Sequence, residues 1–192
     1  MWRLYRSDFR DVIEEVIDQS DDPVIVTDPP FNVGYHYDTY SDRMDDGEYW
    51  QMLTSLREYG PLVVVQYPEA LHRLSVELGE VPCKVCSWVY NANTERQHRD
   101  IAFYGVTPDF NLVKRPYYSM RDKRCRALME RTGGARSYDW QYVDLVKNRS
   151  REKTAHPCQM PLDVMRWVVG VIPGSGTIVD PFCGSGTTGV AC

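Results

Sequence analysis

Val24-Ile25-Val26-Thr27-Asp28-Pro29-Pro30-Phe31 is a short apolar run that breaks into an acid, two prolines and an aromatic ring. Ile178-Val179-Asp180-Pro181-Phe182-Cys183-Gly184-Ser185-Gly186-Thr187-Thr188 breaks the same way and then opens into a turn of small residues. Each reads as a buried strand whose carboxyl end carries an aspartate and a rigid, shaped loop. Two such ends side by side in a parallel sheet form the crevice where open α/β folds bind ligands. The elbows therefore set the expected class, α/β with a largely parallel sheet.

The rest of the chain is read outward from them. Trp2 to Tyr5 reads as a short strand. Ser7 or Asp8 caps a helix to about Gln19, with Val12, Ile13, Val16 and Ile17 on its apolar face. Asn32 to Asp46 is polar and carries Tyr35, Tyr37 and Tyr40, as expected of a long loop that covers a site. A helix from Gly47 to Tyr59 ends at Gly60-Pro61, and Leu62 to Gln66 is a buried strand. Pro68 starts a helix that ends near Leu78-Gly79. Val85 to Tyr90 and Ile101 to Tyr104 read as strands joined by a polar connection. A basic segment, expected to be irregular, follows. Pro161 opens an apolar helix to Val171, and the turn Pro173-Gly174-Ser175-Gly176 leads to a strand from Thr177 to Val179. Strands alternating with helices place helices on both faces of the sheet.

At 192 residues, with 43% hydrophobic and 26% charged residues, the chain reads as one soluble globular domain, 1–192. The first twenty residues are charged throughout and do not resemble a signal peptide. Runs such as Leu62 to Val65 fall far short of the roughly 20 residues that span a bilayer, so no membrane partner is expected. The expected setting is cytoplasmic. The six cysteines are expected to be thiols. Cys83-Lys84-Val85-Cys86 has zinc-pair spacing but lacks a second pair, and no metal is expected.

The net charge of −5 hides an asymmetry. Residues 111–155 hold twelve Lys/Arg against five acids, a local charge of +7 that leaves −12 for the remainder. Lys114, Arg115, Arg121, Lys123, Arg124, Arg126, Arg131 and Arg136 alternate there with Tyr117, Tyr118, Tyr138, Trp140 and Tyr142. Phosphate-neutralising cations beside rings are the footprint expected on nucleic acid.

The first elbow suits a planar base swung out of its stack. An aromatic amino group is a poor nucleophile because its lone pair is delocalised into the ring. Acceptors that hold both amino hydrogens restore lone-pair character. Asp28 offers a carboxylate and Pro29 a backbone carbonyl, while Pro30 has no N–H to compete, and fixed φ angles position them in advance. Phe31 offers a flat apolar face for the base. At the second elbow, Gly184 and Gly186 allow close approach to a ligand, and Thr187-Thr188 begin a helix. Asp180 can accept from an ammonium or a water. Phosphate loops end in Gly-Lys-Ser/Thr, and no lysine occurs here, so a zwitterionic cofactor fits better than a triphosphate.

The two elbows together, Asp28-Pro29-Pro30-Phe31 before Asp180-Pro181-Phe182-Cys183-Gly184-Ser185-Gly186-Thr187, resemble the S-adenosylmethionine-dependent DNA adenine-N6 methyltransferases. The order matches the subgroup in which the catalytic motif precedes a target-recognition segment and then the cofactor motif. The resemblance implies a Rossmann-like methyltransferase fold, S-adenosylmethionine as cofactor and double-stranded DNA as partner. It implies transfer of methyl to the adenine amino group after base flipping, in a bacterial or phage restriction-modification setting. Asp28, Pro29, Pro30 and Phe31 take the catalytic positions. Asp180, Pro181, Phe182, Gly184, Gly186, Thr187 and Thr188 take the cofactor positions.

His156-Pro157-Cys158-Gln159-Met160-Pro161 is similar to the segment the family places before its cofactor strand, where the family commonly has Lys in place of Met160. His156, Pro157 and Pro161 are therefore expected at the methionine end. Ser7-Asp8 looks like the family's Gly-Asp, which places Asp8 near the cofactor adenine. Residues 111–155 correspond to the inserted target-recognition segment. The family continues into a further strand that ends in an acid for the ribose, whereas this sequence stops at Cys192. The expectation is a sheet lacking its carboxyl-terminal strand or strands, weak cofactor binding, and self-association or a second chain completing the sheet. Cytosine-N4 methylation uses the same logic, although that branch tends to carry Ser before Pro-Pro. A truncated, non-catalytic DNA-binding remnant is the alternative from another class.

Overall fold

The computed structural model describes residues 2–35, 42–174 and 176–192. The elements in chain order are α1 (Phe9–Asp18), β1 (Val24–Thr27), α2 (Asp46–Ser55) running into a 3-10 turn (Leu56–Tyr59), β2 (Leu62–Gln66), α3 (Pro68–Leu78), β3 (Lys84–Val89) and β4 (His98–Tyr104). They continue with β5 (Lys114–Arg115), α4 (Lys123–Thr132), β6 (Ala135–Arg136), β7 (Trp140–Tyr142), α5 (Leu162–Gly170), β8 (Ile178–Val179) and α6 (Thr187–Ala191). Six strands form one sheet in the order β7-β3-β4-β2-β1-β8, and β5 and β6 form a separate ribbon. Strand β4 runs antiparallel to β2 and β3, and every other pairing in the sheet is parallel. The carboxyl ends of β1 and β8 are therefore neighbours.

Strands β1 and β2 are buried along their whole length, which is why they read as continuous apolar runs. Their side chains still alternate. Val24, Val26, Val63 and Val65 join Trp88, Ile101 and Phe103 on the face covered by α5. Ile25, Leu62 and Val64 join Ala102 and Tyr104 on the face covered by α1, α2 and α3. The helix ends follow local chemistry. Asp8 caps α1 by accepting from the Arg10 N–H at 3.0 Å. Pro68 opens α3, and Gly79 closes it at φ +63°.

Two sequence expectations need correction. Trp2 to Tyr5 forms no strand. It pairs with no described strand, and its large side chains Trp2 and Leu4 stay exposed. Nor is the basic segment irregular, since it holds α4, the β5–β6 ribbon and β7, which extends the central sheet beside β3. Helix α4 is dominated by charged residues and has no buried residue; the Asp122 cap and Gly133 at φ +71° delimit it. Tyr37, Tyr40 and Ser175 lie outside the described residues. On its side away from β1, β8 pairs with no described strand.

Candidate active site

Asp28 follows directly on β1, and its side chain is only 15% exposed. Its Oδ2 faces Arg99 Nη1 at 3.5 Å, while Oδ1 is buried with no hydrogen-bond partner among the described residues. Burial pushes the Asp28 carboxyl up to about 6, against the attraction of Arg99 and with a smaller upward push from Asp180. A buried acceptor left unsatisfied is costly unless a ligand donates to it.

The elbow is braced by a polar chain that the sequence did not announce. Tyr49 Oη on α2 donates to the Pro30 carbonyl at 2.8 Å. Gln66 Nε2 donates to Tyr49 Oη at 3.0 Å, and the Tyr67 N–H donates to Gln66 Oε1 at 2.9 Å. Beyond the elbow the backbone wraps around the buried Asp42 carboxylate, which accepts from the N–H groups of Asn32, Val33 and Tyr35 at 2.9, 3.2 and 2.9 Å. Asn32 at φ +55° and Gly34 at φ +76° make that wrap possible. The Phe31 ring meets the edge of Tyr67 at 4.8 Å, and the Arg99 guanidinium lies 4.7 Å from the Phe31 centroid.

At the second elbow Asp180 looks inward. Its Oδ1 accepts from Thr27 Oγ1 at 3.0 Å and from the Phe182 N–H at 3.1 Å, and its Oδ2 accepts from Thr188 Oγ1 at 2.5 Å. Burial still holds its carboxyl above the ordinary range, with those three bonds pulling the other way. Asp180 thus ties β8, β1 and α6 together, a bracing role beyond the acceptor expected from sequence. Gly184 and Gly186 adopt φ +50° and +76°. A Cβ on Gly184 would lie 2.9 Å from His156 Nε2, so the histidine closes directly on the turn, whereas a Cβ on Gly186 would meet nothing within 4 Å among the described residues. The turn therefore opens onto unfilled space.

The segment 156–161 packs against the turn of the second elbow. His156 Nδ1 accepts from the Cys158 N–H at 3.2 Å, the Pro157 carbonyl accepts from Lys153 Nζ at 3.4 Å, and Pro161 sits at the start of α5. Burial, then Lys153, depresses the His156 pKa. Met160 is buried, its carbonyl accepts from Thr187 Oγ1 at 3.3 Å, and its sulfur lies 3.9 Å from Arg99 Nη1. Asp8 comes near the second elbow because the neighbouring Phe9 ring meets Phe182 at 5.1 Å. Its carboxylate is bound to Arg10 at 2.6 Å, which holds its pKa below the usual range.

The cations form a second locus. Lys114 and Arg115 pair with Arg136 and Ala135 in the β5–β6 ribbon, while Lys123, Arg124, Arg126 and Arg131 line α4. Arg115 lies 3.8 Å over the Tyr138 ring, which stacks on Trp140 at 5.3 Å and 10°. Cys83 is exposed and Cys86 buried, with burial pushing the Cys86 thiol up to about 12. Among the described residues, no group of three His, Cys, Asp or Glu side chains could hold a metal.

One prediction arises here. Any reaction that needs the Asp28 carboxylate loses rate below about pH 6, by close to tenfold per pH unit, which a profile of kcat/KM reads directly. The contribution to stability runs the opposite way with pH. The folded pKa lies above the ordinary 3.8, so this group's contribution is fully present below 3.8 and is lost as pH rises through about 6.

Comparison with known proteins points one way. A family model described as DNA methylase, of the N6/N4 methyltransferase type, matches residues 83–192. The chain is 26% identical over 195 residues to the type II methyltransferase M.HpaI of Haemophilus parainfluenzae, covering 88% of this chain and 60% of that protein. It is 24% identical over 228 residues to the type II methyltransferase M.BglII of Bacillus subtilis, covering 97% and 61%. The chain thus spans about three-fifths of the length of these relatives. The fold is similar to that in the crystal structure of the M1.HpyAVI–SAM complex, with a TM-score of 0.62 at 17% identity, covering 100% of this chain and 87% of that one.

Proposed function

Because the chain belongs to the DNA methylase family of N6/N4 amino-methyltransferases, we propose that it methylates the exocyclic amino group of a flipped base in double-stranded DNA, and that the base is adenine. The observation that carries this reading is Asp28 Oδ1, a buried and unsatisfied acceptor on a proline-fixed elbow. An amino group is the donor that such an acceptor lacks. Asp28 in this position, rather than the serine typical of the cytosine-N4 branch, favours adenine.

S-adenosylmethionine is the proposed cofactor, and it supplies an electrophilic methyl group. The residues at the second elbow fit it: a positive-φ turn opens onto unfilled space beside the Asp180 brace, and His156 and Met160 wall the turn. Gly184, Gly186 and the 156–161 segment would hold the methionine end, and Asp8 and Phe182 the adenosine end.

At the first elbow Asp28 accepts one amino hydrogen and the Pro29 carbonyl the other, which turns the nitrogen lone pair away from the ring. As the N–C bond forms, the bond from the methyl carbon to the sulfonium sulfur would break with its pair left on sulfur, and the nitrogen becomes cationic and sheds a proton. Asp28, with its raised pKa, is suited to receive it. Phe31, clamped by Tyr67 and Arg99, stacks on the base. Phe31→Ala is expected to weaken base engagement by about 1–3 kcal/mol, with Phe31→Trp and Phe31→Tyr largely active. Equal behaviour of the Ala and Trp variants in base-analogue fluorescence would remove stacking from its role.

The deciding experiment is to express the chain in methylation-deficient cells and sequence their DNA for modified bases by context. N6-methyladenine in a fixed context is expected. N4-methylcytosine would transfer the reading to the cytosine branch, and unmodified DNA would leave only the DNA-binding remnant.

A further inference from the structure

We propose that Arg99 on β4 is a positioning residue for methyl transfer, holding Asp28 ionised and oriented so that Oδ1 alone is left for the amino group. This rests on the function proposed above.

The geometry is specific. Arg99 Nη1 approaches Oδ2 of Asp28 at 3.5 Å and leaves Oδ1 uncommitted. Both side chains are about one-sixth exposed or less. The guanidinium is enclosed by rings, with its central carbon 4.7 Å from the Phe31 centroid, 5.3 Å from Trp88 and 5.6 Å from Tyr67. Nη1 also lies 3.9 Å from the Met160 sulfur, and Nε has no hydrogen-bond partner among the described residues. A purely structural cation would not be expected to sit with an unfilled donor in an aromatic box. A fixed charge that serves a neighbouring carboxylate would.

The charge balance around the elbows supports the assignment. Asp180 from the end of β8 faces Asp28 as a second carboxylate and opposes its ionisation. Tyr67 and Tyr90 face Arg99, and Arg96 stacks over Tyr67 at 4.3 Å. Arg99 is the cation paired with Asp28 among the described residues. Arginine holds its charge at any working pH and remains polarising in a dry site, so it can perform this task without titrating itself. The Arg99 side chain also touches both halves of the site, Phe31 at the first elbow and Met160 beside the second.

The test separates this role from mere packing. In protein labelled with 13C at aspartate Cγ, the Asp28 signal, identified by its loss in Asp28→Asn, is titrated in wild type, Arg99→Met and Arg99→Lys, and kcat/KM on DNA is profiled against pH. Wild type is expected to titrate near 6. Arg99→Met should raise that midpoint by about 1–3 pH units, the usual effect of losing a close opposite charge. The acid limb of kcat/KM should move with it, so that rate returns at high pH. Arg99→Lys should restore the wild-type midpoint. If Arg99→Met does not fold, as judged by near-ultraviolet circular dichroism, Arg99→Gln is titrated instead. An unmoved Asp28 midpoint and an unmoved acid limb in a folded, active neutral variant overturn the assignment of Arg99 alone. A wild type that methylates no DNA at any pH overturns the function it serves.

Discussion

Asp28→Ala is expected to lower the rate of methyl transfer by about 10²–10³-fold, the equivalent of roughly 2.7–4 kcal/mol, while S-adenosylmethionine affinity changes little. The size follows from preorganisation. The acceptor is already desolvated, and its elbow is held by the prolines and by the Tyr49 bond to the Pro30 carbonyl, so nothing has to be reordered as the nitrogen develops charge. Cofactor affinity is spared because the Gly-rich turn and the 156–161 segment rest on Asp180, Thr187 and Thr188. Single-turnover rates and calorimetric cofactor binding together check the split. Normal turnover by the variant would take Asp28 out of the chemistry, and a parallel loss of cofactor binding would mean that the elbow had collapsed.

DNA affinity is expected to fall by roughly 500-fold between 50 and 200 mM salt, which corresponds to about five phosphate contacts and a log–log slope near −4.5. Arg121, Lys123, Arg124 and Arg126 cluster at the start of α4, and the Arg124 side chain is 90% exposed. Arg115 is a weaker choice for neutralisation, because its guanidinium is already seated on Tyr138. Replacing Arg121, Lys123, Arg124 and Arg126 together with glutamine should flatten the slope to about −1, provided all four touch phosphates. Fluorescence anisotropy across a salt series measures it, and an unchanged slope would move the DNA surface to another face.

The elbows were legible because buried parallel strands have no polar face, so their ends stand out where the chain abruptly turns to Asp-Pro. The order of helices and strands followed from the same apolar patterning. Arg99 was not legible. Its strand was read as starting at Ile101, because His98, Arg99 and Asp100 look like a polar connection, and the rings that cage the cation come from positions 31, 67 and 88. Tyr49 and Gln66 were hidden for a related reason. Each passes as an ordinary buried residue until a third group, the Pro30 carbonyl, shows what their hydrogen bonds serve. Helix α4 escaped because half of its ten residues are charged and none is buried, so it read as part of a basic segment rather than as a packed element. The Trp2–Tyr5 expectation failed from the opposite cause, apolar residues that stay exposed and pair with no described strand.

The pairing of β1 with β8 joins Val24 to Ile178 and Ile25 to Val179. That contact closes a loop of most of the chain, whereas the β3–β4 hairpin closes one of a few residues. Loop-closure entropy and contact order therefore set a timetable for assembly, with the hairpin early and β8 docking late. Until β8 docks, Thr27 has no Asp180 to bond, and the two elbows share no crevice. Partly folded chains should hence show protected amides in β3 and β4 before any appear in β8, and they should gain cofactor binding in the final kinetic phase. Pulse-labelled hydrogen exchange during refolding would resolve that order, and it makes this small two-strand seam the step at which an assembled sheet first becomes a binding site.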